Sequence, residues 1–283
     1  MKYLVTGGTG FIGRQFIARV ETRGHQVEAW TRTQLALPPL GSLEGVDAVV
    51  HLAGEPVAQR WNDAVKTRIR DSRVLGTRAL VDAIARAPHK PGVLVCASAI
   101  GIYGDRSDEV LTETSAPGAG FLADVCRQWE SEADRATNFG LRVVKLRIGF
   151  VLGNGGGALA QMVPAFRLFA GGRLGSGRQW MPWIHLEDVL ALLVHAAETE
   201  SVAGVWNATS PNPVRNVDFT ADLAHAVHRP ALLPVPPFAL KLAFGEMGQH
   251  MLDSARVVPA AALHADFQFQ FPELKAALRN LLS

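Results

Sequence analysis

Three glycines, Gly7, Gly10 and Gly13, stand at regular spacing near the start of the chain, directly after Tyr3, Leu4 and Val5. A run with apolar residues at Phe11, Ile12, Phe16, Ile17 and Val20 follows them. Placed after a strand and ahead of a helix, such glycines let the backbone turn, approach a pyrophosphate closely and pack the helix against the sheet. The chemistry implied is dinucleotide binding, with Gly7, Thr9, Gly10, Phe11, Ile12 and Gly13 as the cradle. The second strand, Gln26 to Trp30, ends in Thr31-Arg32-Thr33, about 20 residues past the glycines, where a site for an unphosphorylated ribose carries an acidic residue. An Asp there would repel a 2′-phosphate, and Arg32 would pair with it. Such a charge-assisted contact is worth roughly 1.5–3 kcal/mol, so Thr31 and Arg32 predict NADP(H) over NAD(H).

Other residues are candidates for substrate chemistry. At the end of the third strand, Leu52, Ala53 and Gly54 are small enough in sum for adenosine and pyrophosphate to lie across the carboxyl edge of the sheet, and are expected to touch the cofactor. General acid–base help is worth about 10²–10⁴ in rate. The side chains that can supply it are Tyr103, Glu55, Asp105, Glu130 and His185. Glu55 beside Pro56 also reads as a solvated carboxylate, and His185 reads better as a packing element than as a catalyst. The stretch Gly171 to His185, with Arg178, Trp180 and Trp183, has the make-up of a substrate wall. Arg73 and Arg178 can clamp an anionic substrate or the cofactor phosphates, or serve as ordinary ion pairs. Cys126 has apolar helical neighbours, a setting in which thiols are inert. His225 and His228 give no metal-ligand pattern, and the Ser98 region lacks the Gly-x-Ser-x-Gly elbow of a hydrolase.

The elements that must hold these residues alternate strand and helix. Helical patterns run from Asn62 to Ala87, through Leu122 to Trp129 and from Leu186 to Ala197. Strands are expected at Ala48 to Leu52, Val93 to Ala97, Val143 to Leu146 continuing to Gly153, and Val205 to Asn207. Leu35 to Gly45 reads as a Pro/Gly-bearing loop. Asn154 to Gly157 reads either as a loop over the site or as a plain turn. The fold class is α/β: a Rossmann, doubly wound parallel sheet with a smaller, partly interleaved C-terminal substrate region. Residues 1–229 form the nucleotide-binding domain, with 150–185 and 205–215 contributing to the substrate side, and the proline-rich stretch Arg229 to Pro237 leads to a small C-terminal domain at 236–283.

A net charge of +2 in 283 residues gives no reason to expect a nucleic-acid partner. Two cysteines suit a reducing compartment. No apolar run approaches the ~18 residues of a membrane span, and Met1 leads directly into the first strand, so a cytoplasmic location without membrane association is expected.

Several stretches resemble the extended short-chain dehydrogenase/reductase superfamily, in its NAD-dependent epimerase/dehydratase group: Thr6 to Gly13, His51 to Gly54, Val74 to Thr77, Ser98 to Gly104 and Trp183 to Asp188. Ser72-Arg-Val, Phe121 to Glu130, Gly171 to His185, Pro211 to Val214 and Gly245 to Met247 are similar to a branch called simply the epimerase family, whose members carry a C-terminal domain of unknown function. The resemblance implies that Arg73, Ser98 and Ala99 also touch the cofactor, that Gly101 and Tyr103 lie on the substrate side, and that a homodimer can form through the 62–87 helix. The superfamily's Tyr-x-x-x-Lys pair is missing. Tyr3 and Tyr103 are followed four residues later by Gly7 and Ser107, and the pair's place, between Gly120 and Cys126, holds neither Tyr nor Lys. The helper serine is replaced by Ala99, with Ser98 on the opposite side of a strand end, and the usual Asn is Arg73. The expected function is an NADP(H)-binding oxidoreductase or epimerase acting on a small carbonyl or hydroxyl compound without that dyad. The alternative is a non-catalytic NADP(H)-sensing or regulatory protein.

Overall fold

The computed structural model describes residues 1–36, 43–231 and 233–282. β1 (Lys2–Thr6), β2 (Gln26–Trp30), β3 (Ala48–His51) and β4 (Val93–Ala99) alternate with α1 (Phe11–Thr22), α2 (Arg32–Ala36) and α3 (Asp63–Arg86). β5 (Val110–Leu111) and α4 (Phe121–Asp134) lead to β6 (Arg142–Ile148). β7 (Phe150–Gly153), α5 (Gly157–Arg167), β8 (Trp180–Met181), β9 (Trp183–His185) and α6 (Leu186–Glu198) precede β10 (Gly204–Ala208). β11 (Val214–Arg215) and α7 (Asn216–Ala226) follow, then the C-terminal elements α8 (Pro237–Phe244), α9 (Met247–His250), β12 (Arg256–Val257), α10 (Ala260–His264) and α11 (Leu274–Leu282).

Six parallel strands form the central sheet in the order β10-β6-β4-β3-β1-β2. Val5 of β1 pairs with Ala29 of β2 on one side and Val50 of β3 on the other. The winding therefore reverses at β1, which opens a crevice at the carboxyl ends of β1 and β3, the place where open α/β sheets bind ligands. The strands are apolar on both faces because both are covered. Tyr3 and Val5 pack with Phe16 of α1 and Val189 and Leu193 of α6, whereas Leu4 and Val49 pack with Leu80 and Ile84 of α3 and Trp129 of α4.

Two stretches depart from the expected elements. Residues 32–36 are helical rather than loop, because Thr31 and Gln34 form a capping box: the Thr31 N–H donates to Gln34 Oε1 at 2.9 Å and the Gln34 N–H donates to Thr31 Oγ1 at 3.3 Å. The rest of the expected Leu35 to Gly45 loop lies partly outside the described residues. The run from Val143 to Gly153 is not one strand. β6 ends at Ile148, and β7 pairs in parallel with β9 in a separate ladder. Gly149 makes the break, since a Cβ there would stand 2.4 Å from the Pro182 carbonyl oxygen.

The C-terminal elements are tied to the rest of the chain at several points. β12 pairs with β5. Ser254 Oγ donates to the Ser107 carbonyl at 2.6 Å, and Asn207 Nδ2 donates to the Val258 carbonyl at 3.0 Å. The buried Asp188 carboxylate accepts the Gln270 and Phe271 N–H groups at 2.7 and 3.1 Å. Among the described residues no helix is long and apolar enough to cross a membrane.

Candidate functional site

The turn after β1 is built around atoms that leave no room for side chains. Gly7 has φ +74°, and a Cβ on it would lie 2.6 Å from the Leu52 carbonyl carbon and 2.7 Å from the Ala53 nitrogen. A Cβ on Gly13 would lie 2.3 Å from the Gly7 carbonyl oxygen, so α1 starts in contact with the turn itself. Thr9 and Gly10 form its exposed tip, closed by the Gly10 N–H donating to the Gly7 carbonyl at 2.9 Å. Gly10 caps α1 without a side-chain hydrogen bond, and the first turn holds no acidic residue. The N–H groups that a helix leaves unbonded at Phe11, Ile12 and Gly13 are thus free of competing carboxylates, a setting that favours an anion. The Phe11 ring is seated on the glycine loop after β7: Cβ atoms on Gly153 and Gly156 would stand 2.5 and 2.1 Å from it. That loop is therefore a packing surface for the cradle.

Beyond β2, Thr31 caps α2 and places Arg32 in its first turn with the guanidinium 81% exposed. Arg32 lies 3.4 Å from the Glu55 carboxylate, which Arg68 approaches at 3.5 Å from the other side. Hydrogen bonds from Gln59 and Arg68, together with the Arg32 charge, hold Glu55 below the usual carboxylate range. Glu55 is therefore an ionised anchor for two arginines. Arg73 extends from α3 beneath the same loop, donating to the Glu55 and Ile69 carbonyls at 3.0 and 3.1 Å. Its guanidinium lies 5.2 Å from the Trp129 ring centroid and fills the space beside Gly54, where a Cβ would come within 3.1 Å of it. Close by, His51 links Thr6 at 2.6 Å to Thr77 at 2.9 Å, and burial, aided by the Arg73 charge, pushes its pKa down to about 4. It is a neutral staple between β1, β3 and α3.

A cavity of about 300 Å³ opens at the carboxyl ends of β4 and β6. Ala99, Gly101, Leu122, Cys126, Phe150 and Trp180 are among its lining residues, Arg73 borders it on the α3 side, and His250 and Asp253 border it from the C-terminal elements. Most of its wall is apolar. A second depression, among Arg19, Arg23, His195 and Glu198, lies at the opposite, amino-terminal edge of the sheet and touches none of these residues.

The family model for the NAD dependent epimerase/dehydratase family matches residues 3–209, and that for a domain of unknown function, DUF1731, matches residues 235–281. The chain belongs to the NAD-dependent epimerase/dehydratase family. It is 40% identical to the Arabidopsis thaliana epimerase family protein SDR39U1 homolog, chloroplastic, over 100% of this chain and 87% of that one. It is 34% identical to the Bacillus subtilis epimerase family protein YfhF, over 100% and 98% of the two chains. The crystal structure of human epimerase family protein SDR39U1 (isoform 2) with NADPH superposes with a TM-score of 0.92 at 34% identity, covering 100% of this chain and 99% of that one. A Bacillus cereus UDP-glucuronic acid 4-epimerase, at 18% identity and a TM-score of 0.80, shares the fold.

Within this epimerase-family fold, several expected site residues point away from the cavity. Ser98 and Ala99 end β4 with opposite parity: Ala99 faces the cavity, whereas buried Ser98 donates to Glu130 Oε1 at 2.6 Å. Glu130, expected as a candidate acid or base, also accepts from Arg147 Nε and Nη2, each at 2.9 Å. The Tyr103 hydroxyl lies in the same buried network, 2.7 Å from Asn207 Oδ1, and accepts from Arg147 Nη1 at 3.0 Å. Burial raises its pKa further. Tyr103, Glu130 and Ser98 are thus consumed by one another behind the cavity wall, and none presents a free polar atom to it. Trp183 is also corrected: it is fully buried beneath the sheet's edge, with Nε1 donating to the Asn212 carbonyl at 3.1 Å. Arg178 is exposed and does not line the cavity, so of the expected Gly171 to His185 wall Trp180 and Pro182 do, together with Gly101.

His185 caps α6 by accepting the Glu187 N–H at 3.0 Å and stacks on Phe271 at 3.9 Å, a structural role. Asp105 shapes a turn, accepting from the N–H groups of Ser107 and Ser254 at 3.2 and 3.1 Å. In the Gly120 to Cys126 stretch, the place that the resemblance gives for the missing pair, the residues that reach the cavity from α4 are Leu122, Val125 and Cys126. Burial pushes the Cys126 thiol up to about 12. Sequence reasoning missed His250 and Asp253; the available signal was their His-x-x-Asp spacing beside Gly245-Glu-Met247.

Proposed function

We propose that this protein binds NADP(H) in the β1–α1 cradle and uses it in an oxidoreduction or epimerisation of a small carbonyl or hydroxyl compound held in the cavity at the carboxyl ends of β4 and β6. The observation that carries the reading is the placement of a turn closed to side chains at Gly7 and Gly13 together with an exposed guanidinium, Arg32, steadied by Glu55 just beyond the end of β2. Gly7 and Gly13 keep side chains out of the turn, so its backbone can approach a pyrophosphate, and Arg32 supplies the charge a 2′-phosphate needs. The human relative crystallised with NADPH supports the same choice of nucleotide. Glu55 keeps Arg32 and Arg68 poised on either side of its carboxylate, and Arg73 lies beside Gly54 at the end of β3 and borders the cavity. When bound, the nicotinamide supplies or accepts a hydride. The chain's own residues bind, orient and shield the substrate against an apolar wall that includes Trp180, Phe150 and Leu122.

A second reading has its own support: between Gly120 and Cys126, where the resemblance puts the proton-handling pair, there is neither Tyr nor Lys, which suits a sensor that binds the nucleotide without turning it over. A screen of carbonyl and hydroxyl compounds, followed by nicotinamide absorbance, separates the two. Saturable oxidation of NADPH or reduction of NADP⁺ upholds the enzyme. Tight NADPH binding with no turnover across the screen upholds the sensor.

A further inference from the structure

The cavity is apolar around most of its wall, but its C-terminal side carries an imidazole that neither the cradle nor the buried Arg147 network uses. Among the described residues, the titratable side chains lining it are Arg73, Cys126, His250 and Asp253. Arg73 is a permanent cation occupied with the Glu55 and Ile69 carbonyls. The Cys126 thiol points at the Ala99 carbonyl at 3.7 Å and stays protonated. That leaves His250, whose Nδ1 lies 2.7 Å from Asp253 Oδ2. A carboxylate on one ring nitrogen fixes the tautomer and commits the other nitrogen to whatever approaches it, the arrangement by which histidines are oriented for proton transfer. Nε2 has no hydrogen-bond partner among the described residues.

The segment that presents His250 is held firmly. Gly245 bridges to Trp61, the Trp61 N–H donates to the Phe244 carbonyl at 3.3 Å, and Lys66 pairs with Glu246 at 2.9 Å. The Trp61 ring lies 5.2 Å from the His250 ring and is itself fixed by donating Nε1 to the Val57 carbonyl at 2.8 Å. A Cβ on Gly248 would strike the Leu240 carbonyl oxygen at 2.3 Å, so the short helix lies tight on α8. The imidazole therefore has a fixed carboxylate on one side, a fixed indole beside it and the cavity in front.

We propose that His250, oriented by Asp253, is the proton-handling residue of this pocket, and that Nε2 hydrogen-bonds the oxygen of a small, largely apolar alcohol, ketone or aldehyde. The inference rests on the NADP(H) reading and adds to it the group that the missing tyrosine and lysine would have provided. Nε2 holds the proton that passes to the oxygen when a carbonyl becomes a hydroxyl, and takes it back in the reverse direction. Arg73 stays charged throughout and moves no proton. A guest of this kind suits the wall: one polar end, matched by one imidazole, and an apolar body against Leu122, Phe150 and Trp180.

The test uses the full chain labelled with ¹⁵N-histidine, with and without NADPH, and three probes: cyclohexanol, cyclohexanone and oxygen-free cyclohexane. Long-range ¹H–¹⁵N spectra at alkaline pH are expected to show His250 as the Nδ1–H tautomer. At that pH the alcohol, whose O–H donates to the Nε2 lone pair, is expected to shift its Nε2 resonance saturably, while the ketone, which has no O–H to donate, and cyclohexane leave Nε2 unmoved. A lost neutral hydrogen bond is worth about five- to ten-fold in affinity. His250→Phe, which keeps an aromatic ring, should weaken the alcohol by that factor and leave cyclohexanone, cyclohexane and NADPH affinities unchanged, and His250→Gln should recover part of the loss. An Nε2–H tautomer, silent His250 resonances with the alcohol, or equal cyclohexanol affinity in His250→Phe and the parent protein overturns the proposal. Failure of the dinucleotide reading is distinguishable, since it appears as absent NADPH binding in the parent protein whatever the probes do.

Discussion

Replacing Glu130 with alanine separates a structural carboxylate from a catalytic one. The side chain accepts from Ser98 Oγ at 2.6 Å and from two Arg147 nitrogens at 2.9 Å each. Arg147 and Glu130 are 7% and 9% exposed, so solvent cannot replace the lost bonds. Removing one partner of a buried ion pair costs about 3–5 kcal/mol, because the other charge remains buried and uncompensated. At roughly 2–4 °C per kcal/mol for a chain somewhat smaller than this one, the melting temperature should fall by roughly 6–20 °C. The double variant Glu130→Leu with Arg147→Met leaves no orphaned charge and should recover more than half of the loss. Thermal unfolding by circular dichroism, paired with NADPH titration of each folded variant, measures both sides. NADPH affinity should change by less than about three-fold, under 1 kcal/mol. An alanine variant that melts within about 2 °C of the parent, a change well under 2 kcal/mol, yet loses NADPH binding or turnover would refute the placement of Glu130 behind the cavity wall.

Arg32→Ala should weaken NADPH binding by about ten-fold and leave NADH binding unchanged, measured by fluorescence titration at low salt, since the lost contact is a single exposed charge on a phosphate. Gly13→Ala puts a methyl 2.3 Å from the Gly7 oxygen; overpacking of this kind costs about 1–3 kcal/mol, so NADPH affinity should drop by about five-fold or more while the far-ultraviolet spectrum stays that of the parent. Acid should destabilise the fold through His51, whose folded pKa is held down to about 4 by burial. Above about pH 6.5 the imidazole is neutral in both states and contributes no pH dependence; as the pH falls from there towards 4 only the unfolded chain takes the proton, so stability is lost, by about 3 kcal/mol in all. Urea unfolding at about pH 7 and about pH 4.5 should show that loss in the parent and a smaller one in His51→Asn, which has no proton to take up.

What was legible in the sequence was local. The glycines read correctly because a turn that admits no Cβ depends on neighbours in the chain and on one adjacent strand end. Arg32 was legible because the end of β2 follows from the length of one strand–helix–strand unit. The capping box at Thr31 and Gln34 was equally local and was readable as a helix start. The direction of side chains at the end of β4 was harder. Ser98 and Ala99 differ by one residue, and parity decides which of them meets the cavity. Tyr103, Glu130 and Arg147 come from three elements, and only their mutual packing shows that they satisfy one another. Trp183 looked like a wall residue by composition, yet the β7–β9 ladder turns it into the core. His250 reaches the pocket through the docking of the C-terminal helices on the Trp61 loop, a long-range contact that the local His-x-x-Asp spacing does not reveal.

The most direct measurement is calorimetric titration of the purified chain with NADPH and with NADH under identical low-salt conditions. NADPH should bind about ten-fold or more tighter than NADH, as expected for a guanidinium paired with the 2′-phosphate. Equal affinity, tighter binding of NADH, or no heat from either nucleotide would contradict the reading of the β1–α1 turn and Arg32 as an NADP(H) site.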